Sequence, residues 1–238
     1  MALGMAKAGA NLAVLYYPSE AEEENARTLK EEIVQIRGDE KACVIVGGDV
    51  SEQDTAVNLV KKTVEAFGEI NVMLANAGIC KYHDFLDTPK ELYYQHVRIN
   101  LDGVYFMVQE AGRQMKLQGK GGSIIATGSI RSLLGGAPVV PYTATKGGVL
   151  SIVQASAAAL GPYNIRVNCI LPGAIETPIM ETEQTEEERA HIVKRIPMGR
   201  MGKPKDLAGP AVFLASDMSE YLNGSEMLVD GGMYINLE

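Results

Sequence analysis

The 238-residue chain has no tryptophan, four phenylalanines, three cysteines and three histidines. Cys43, Cys80 and Cys169 are odd in number and show no CxxC spacing, which speaks against a disulfide framework or a zinc site. Each lies in or beside an apolar stretch, so buried thiols in a reducing compartment are expected. His83, His96 and His191 have no metal-ligand spacing, and no metal is expected. Positive charge is also scarce. Against 30 Asp and Glu stand 22 Lys and Arg, a formal net charge of −8. That balance disfavours non-specific binding to nucleic acid or to an anionic membrane. Apolar runs are strand-sized, too short to span a bilayer. The first residues lack the charged, apolar and small succession of a secretion signal, and the expected location is the cytoplasm. There is no internal repeat, low-complexity segment or linker, so residues 1–238 are expected to form one domain.

What is present is alternation. Strand-like runs at 12–16, 42–46, 71–75, 123–127, 166–170 and 227–229 are separated by helical patterns. The helical stretches are 20–37, 53–67, 89–117, 143–160, 183–195 and 205–216. "VIV", "VML", "SIIA" and "VNCIL" are continuously apolar, as in parallel strands covered on both faces. The expected fold is α/β, a Rossmann-like doubly wound parallel sheet. Such sheets bind ligands beyond the carboxyl ends of their strands. The residues there are Gly47-Gly48-Asp49-Val50, Asn76-Ala77-Gly78, Gly128-Ser129 and Leu171-Pro172-Gly173, nearly all small or turn-forming.

"GSIRSLLGGAPVVPYTATKGG" carries the chemistry. Tyr142 and Lys146 are four apart, on one face of a helix. A phenol near pKa 10 is a poor base at neutral pH, and an adjacent ammonium is expected to lower it. The pair can then move a proton to or from an alcohol or carbonyl. Ser129, at the end of the preceding strand, is placed to hydrogen-bond the same oxygen.

These residues, with "GDVS", "NAG" at 76–78, "INLDG", "YTATK", "IRVNCILPG" and "LVDGG", resemble the short-chain dehydrogenase/reductase family along the whole chain. The resemblance implies catalytic roles for Asn100, Ser129, Tyr142 and Lys146. Tyr142 would be the acid/base, and Lys146 would lower its pKa and hold the nicotinamide ribose. Ser129 would orient the substrate oxygen, and Asn100 would hold a relay water. It implies that Asp49 and Val50 flank the adenine of NAD or NADP and that Asn76, Ala77 and Gly78 line the cofactor cleft. Pro172, Gly173, Ile175 and Thr177 would meet the nicotinamide end.

Within the family, "LYYPSEAEE", "GEINVMLANAGIC", "KLQGKGGSIIATGSI" and the segment from "RIPMGRMGKPKDLAGP" onward resemble the fungal sugar dehydrogenases that oxidise L-rhamnose at C1 to the 1,4-lactone. A 3-oxoacyl-carrier-protein reductase is the alternative, as is an inactive dehydrogenase-like protein. Arg131 and Glu176 are candidates for binding sugar hydroxyls alongside Ser129 and Tyr142. Leu15, Tyr16 and Tyr17 occupy the place where an acidic residue often selects NAD, so use of both NAD and NADP is expected. Family members imply a homotetramer built on helices 89–117 and 143–160 and the final strand and tail. The family's first strand and TGxxxGxG turn have no counterpart here. That strand would sit between the strands at 12–16 and 71–75, so poor cofactor binding and low stability are expected of this chain.

Overall fold

A computed structural model describes residues 1–236. In chain order the elements are α1 (Ala2–Lys7), β1 (Leu12–Tyr16), α2 (Glu20–Arg37), β2 (Cys43–Gly47), α3 (Gln53–Phe67) and β3 (Val72–Ala75). Then follow α4 (Lys90–His96), α5 (Gly103–Gln118), β4 (Gly122–Thr127), α6 (Val140–Leu160) and β5 (Ile165–Pro172). The chain ends with α7 (Pro178–Glu183), α8 (Glu186–Lys194), α9 (Ala208–Ala215) and β6 (Glu226–Val229).

Every strand pairing is parallel. Among the described residues the strands form two groups, β1-β2 and β3-β4-β5-β6. β1 and β3 therefore each keep one edge without a strand partner, where the sequence reading places an interruption. Helix packing bridges the two groups. Ala13 and Leu15 of β1 pack on the same core as Met73, Ala75, Ile124 and Ala126, with α3, α5 and α6 over that face.

The period-two rule of a pleated strand sorts the apolar runs onto two faces. Ile124, Ala126, Val167, Cys169 and Leu171 face α3, α5 and α6. Ile125 and Ile170 face the other way, against Met5 of α1 and Leu207, Ala211 and Leu214 of α9. All seven strand residues are fully buried. Burial of each large side chain contributes about 1.5–3 kcal/mol. This explains why the strands read as unbroken apolar runs rather than alternating ones.

The helices differ from the sequence reading in three places. Residues 90–118 are helical as expected, but Val97–Asp102 widens into a π turn between α4 and α5. The stretch expected as one helix over 183–195 is split. Gln184 is extended, with φ −138° and ψ 140°, and ends α7. Thr185 then starts α8 with a reciprocal cap, its hydroxyl accepting from the Glu188 amide while the Glu188 carboxylate accepts from its own. α6 begins at Val140 rather than Thr143, with Pro141 in its first turn, where a missing N–H costs nothing. Tyr142 thereby sits in the rigid first turn of a 21-residue helix.

Candidate active site

The carboxyl ends of β3, β4 and β5 and the start of α6 surround a cavity of about 530 Å³. Its wall brings together Asn76, Ala77, Gly78, Ser129, Arg131, Tyr142, Lys146, Pro172, Gly173, Ile175 and Thr177, all named in the sequence reading.

Hydrogen bonds set this geometry. Thr127, the last residue of β4, donates through its hydroxyl to Asn76 Oδ1 at 3.0 Å, joining the ends of two adjacent strands. Its carbonyl accepts from Lys146 Nζ at 2.7 Å. Ser132 Oγ donates to the Lys146 carbonyl at 2.7 Å and so ties the turn after β4 to α6. Ser129 Oγ accepts from the Arg131 amide at 3.1 Å, which leaves its own O–H free to turn toward the cavity. Gly78 lies over this assembly. A Cβ there would stand 3.1 Å from Asn100 Oδ1 and 3.6 Å from Lys146 Nζ, in the space above the lysine.

Electrostatics correct one expectation. Burial pushes the Tyr142 phenol up to about 12, against a smaller lowering by the Ser129 hydroxyl. The expected lowering by Lys146 does not occur in this arrangement. The ammonium is tied to the Thr127 carbonyl and lies over the phenol ring, 5.6 Å from its centroid, so loss of solvation dominates. The same loss lowers Lys146 itself to about 8. Lys146 is almost wholly buried and directs three N–H donors while Thr127 supplies one acceptor.

Four residues from the sequence reading are not in the cavity wall. Asn100 sits behind it, fully buried in the π turn. It accepts from the Ile79 amide at 2.8 Å and donates to the Ile79 carbonyl at 2.8 Å and to Thr145 Oγ1 at 3.3 Å. A π turn carrying a polar residue is a frequent device at functional sites. Asp49 and Val50 lie at the end of β2, farther along the row of strand ends. Asp49 accepts from the Ser51 amide at 2.9 Å, and Val50 packs against Gly103. Glu176 is exposed on the surface, on the side of Arg200. Thr177 stands at the head of α7, but its hydroxyl donates back to the Ile175 carbonyl at 3.3 Å rather than capping the helix.

The structure adds Cys80, Tyr82, Ile179, Met180 and Gln184 to the wall. Burial raises the Cys80 thiol to about 12, which keeps it un-ionised. The sequence carried no signal for these residues, since the loop after β3 and the segment around α7 lie about a hundred positions apart.

The wall fits the nicotinamide half of a dinucleotide. The opening beside Gly78, the uncommitted donors of Lys146 and the small residues Gly173 and Ala174 leave room and hydrogen bonds for a ribose and a flat amide ring. A half-buried phenol, a buried ammonium and a serine hydroxyl beside such a cleft define a nicotinamide-dependent alcohol dehydrogenase or carbonyl reductase.

Comparison with known proteins agrees. A family model described as Enoyl-(Acyl carrier protein) reductase matches residues 1–234. L-rhamnose-1-dehydrogenase of Scheffersomyces stipitis is 48% identical over 239 residues, covering 100% of this chain and 92% of the relative. L-rhamnose 1-dehydrogenase (NAD(P)(+)) of Azotobacter vinelandii is 48% identical over 234 residues, covering 98% and 90%. Among solved structures, a short-chain type dehydrogenase/reductase from Mycobacterium marinum superposes with a TM-score of 0.90 at 34% identity, covering 98% of this chain and 89% of that one. The chain belongs to the short-chain dehydrogenase/reductase family.

Proposed function

We propose that this enzyme oxidises a sugar at its anomeric carbon, with L-rhamnose as substrate, the 1,4-lactone as product and NAD or NADP as oxidant. The observation that carries the substrate is the 48% identity to two L-rhamnose dehydrogenases over nearly the whole chain. The cavity supports it with polar groups on the substrate side of Tyr142, among them Arg131 and Ser129.

NAD(P)+ supplies the hydride acceptor when bound. Lys146, Asn76, Ala77, Gly78, Pro172, Gly173, Ile175 and Thr177 would hold its nicotinamide half, and Asp49 and Val50 its adenine. Ser129 fixes the C1 oxygen against the phenol. Tyr142 takes the hydroxyl proton as the C1–H bond gives up its electron pair, leaving C1 as a carbonyl. The proton then passes toward Lys146. Asn100 has one oxygen lone pair beyond those bonded to Ile79, enough to accept from a relay water.

No helix among the described residues is long and apolar enough to cross a membrane, and we assign the enzyme to the cytoplasm. The exposed Tyr93, Tyr94 and Tyr105 of α4 and α5 support a homotetramer built on those helices, α6 and the final strand. Residues 237 and 238 of the expected tail contact lie outside the described residues.

The test is turnover of L-rhamnose with NAD+ and NADP+ beside reduction of an acetoacetyl thioester. Lactone formation supports the proposal. Reduction of the thioester without oxidation of the sugar replaces it with the carrier-protein reductase reading.

A further inference from the structure

The side of the cavity facing Tyr142 is closed by two segments joined through one carboxylate. Glu183, the last residue of α7, accepts from Lys81 Nζ at 2.7 Å and from the Tyr82 amide at 3.0 Å. Its side chain is largely shielded, and these contacts hold its carboxyl below the usual range. The neighbouring amide, that of Lys81, donates to Nε2 of the fully buried His96 at 3.2 Å. Nδ1 of His96 contacts the Leu92 carbonyl at 2.8 Å, and the two bonds together require the Nδ1–H tautomer. Residues 81 and 82 are thus gripped from α4 on one side and from α7 on the other.

This grip sets two side chains against each other across the wall. Gln184 Nε2 donates to the Tyr82 phenolic oxygen. The Gln184 backbone is fixed as well, its carbonyl accepting from Arg189 Nη1 at 2.8 Å. The other end of the amide is unmet. Gln184 Oε1 is sealed from solvent and has no hydrogen-bond partner. An orphaned buried acceptor has lost its water and gained nothing in return, so natural proteins rarely keep one without use. Tyr82 retains its O–H, since burial raises its pKa. The pair therefore offers one donor and one unsatisfied acceptor, the complement of an alcohol group. Arg131 lies close enough to act electrostatically on both Tyr82 and Tyr142, which puts the pair on the substrate side of the phenol.

We propose that Tyr82 and Gln184, clamped together by Glu183, recognise a substrate hydroxyl remote from the reacting carbon and so select polyhydroxylated substrates. The proposal rests on the sugar reading above. The closed wall covers Gln184 Oε1 and leaves it unmet, and a hydroxyl that enters beside Tyr82 supplies its missing donor once the Gln184 amide turns toward the cavity.

The experiment compares the wild type with Gln184→Met and Tyr82→Phe on L-rhamnose and on 1-phenylethanol, which has no second hydroxyl. Gln184→Met removes the orphan at similar volume. The expected result is a fall in the kcat/KM ratio of rhamnose to 1-phenylethanol of about ten- to a hundredfold, the span of one buried hydrogen bond. KM carries the change, and the melting temperature does not fall. Tyr82→Phe moves the ratio the same way. Calorimetric affinity for L-rhamnose in the presence of NADPH, which cannot accept a hydride from the sugar, falls by the same factor and gives the comparison without turnover. An unchanged ratio overturns the proposal, as does equal loss on both substrates with a lowered melting temperature. A wild type that oxidises a different aldose corrects the substrate named above, and the ratio is then read on that sugar. A wild type that oxidises only the simple alcohol overturns both.

Discussion

Asn100 and Ile79, 21 residues apart, exchange two hydrogen bonds of 2.8 Å, side-chain amide to backbone amide, in the manner of two paired strand residues. The π turn around Asn100 brings the amide to the loop that follows β3. That loop includes Gly78, which lies directly over Lys146.

Replacing Asn100 by alanine strands the Ile79 N–H and C=O together. Each costs about 1–3 kcal/mol if left unmet. A chain of this size loses about 2–4 °C per kcal/mol, so the melting temperature of Asn100→Ala is expected to fall by about 5–15 °C. Asn100→Asp keeps the acceptor and loses the donor, and should fall between the two. Scanning calorimetry checks the order, and an unaltered Asn100→Ala would remove Asn100 from this role.

Tyr142→Phe and Ser129→Ala test the proton transfer. Loss of an acid/base group costs typically about 10²–10⁴-fold in kcat, while cofactor affinity should hold. With the phenol near 12, the fraction of phenolate grows throughout the accessible range. Sugar oxidation by the wild type should therefore climb from pH 7 to pH 10. A flat profile would assign the base elsewhere.

Lys146 makes stability depend on pH. Burial lowers it from 10.5 to about 8. Between these values the unfolded chain binds a proton that the folded chain lacks, so stability rises with pH across that window. It is lost again as pH falls through about 8. Lys146→Met has no such group. The melting temperature of the wild type minus that of Lys146→Met should increase from pH 7.5 to pH 10, and a constant difference counts against a buried, depressed lysine.

Arg131 and Glu176 separate two sequence-level candidates. Arg131 lines the cavity, and its guanidinium donates to the Gly135 carbonyl. Glu176 is exposed outside the wall. Arg131→Ala should raise KM for L-rhamnose by about tenfold, the scale of one hydrogen bond to a charged group. Glu176→Ala should leave KM unchanged. Steady-state kinetics decide, and a raised KM for Glu176→Ala alone would reverse the assignment.

The strands were legible because parallel strands buried on both faces are mostly apolar, and Ile124 to Ala126 and Val167 to Leu171 read so apart from Asn168, whose buried amide is bonded to the Leu222 carbonyl and the Ser225 N–H. Tyr142, Lys146 and Ser129 were legible because helix geometry and one strand end bring them together whatever surrounds them. The direction of the Tyr142 shift was not. It depends on how much water the phenol loses, and spacing says nothing about burial. Tyr82 and Gln184 stayed hidden for a related reason. Their meeting depends on where Glu183 ends one helix and Thr185 starts the next, a break of two residues inside a stretch whose periodicity reads as continuous.

The π turn also makes the length of the helix from Lys90 to Gln118 a functional quantity. Each residue of an α-helix advances about 100° around the axis. Deleting one residue between Val97 and Asp102 would restore a regular helix and swing everything before it by about that angle. His96 would leave the Lys81 amide, and the loop carrying Tyr82 would lose its inner support while Tyr142 and Lys146 stayed in register. Substrate choice thus depends on the register of one helix and proton transfer on another, and a single-codon deletion in the π turn would separate them.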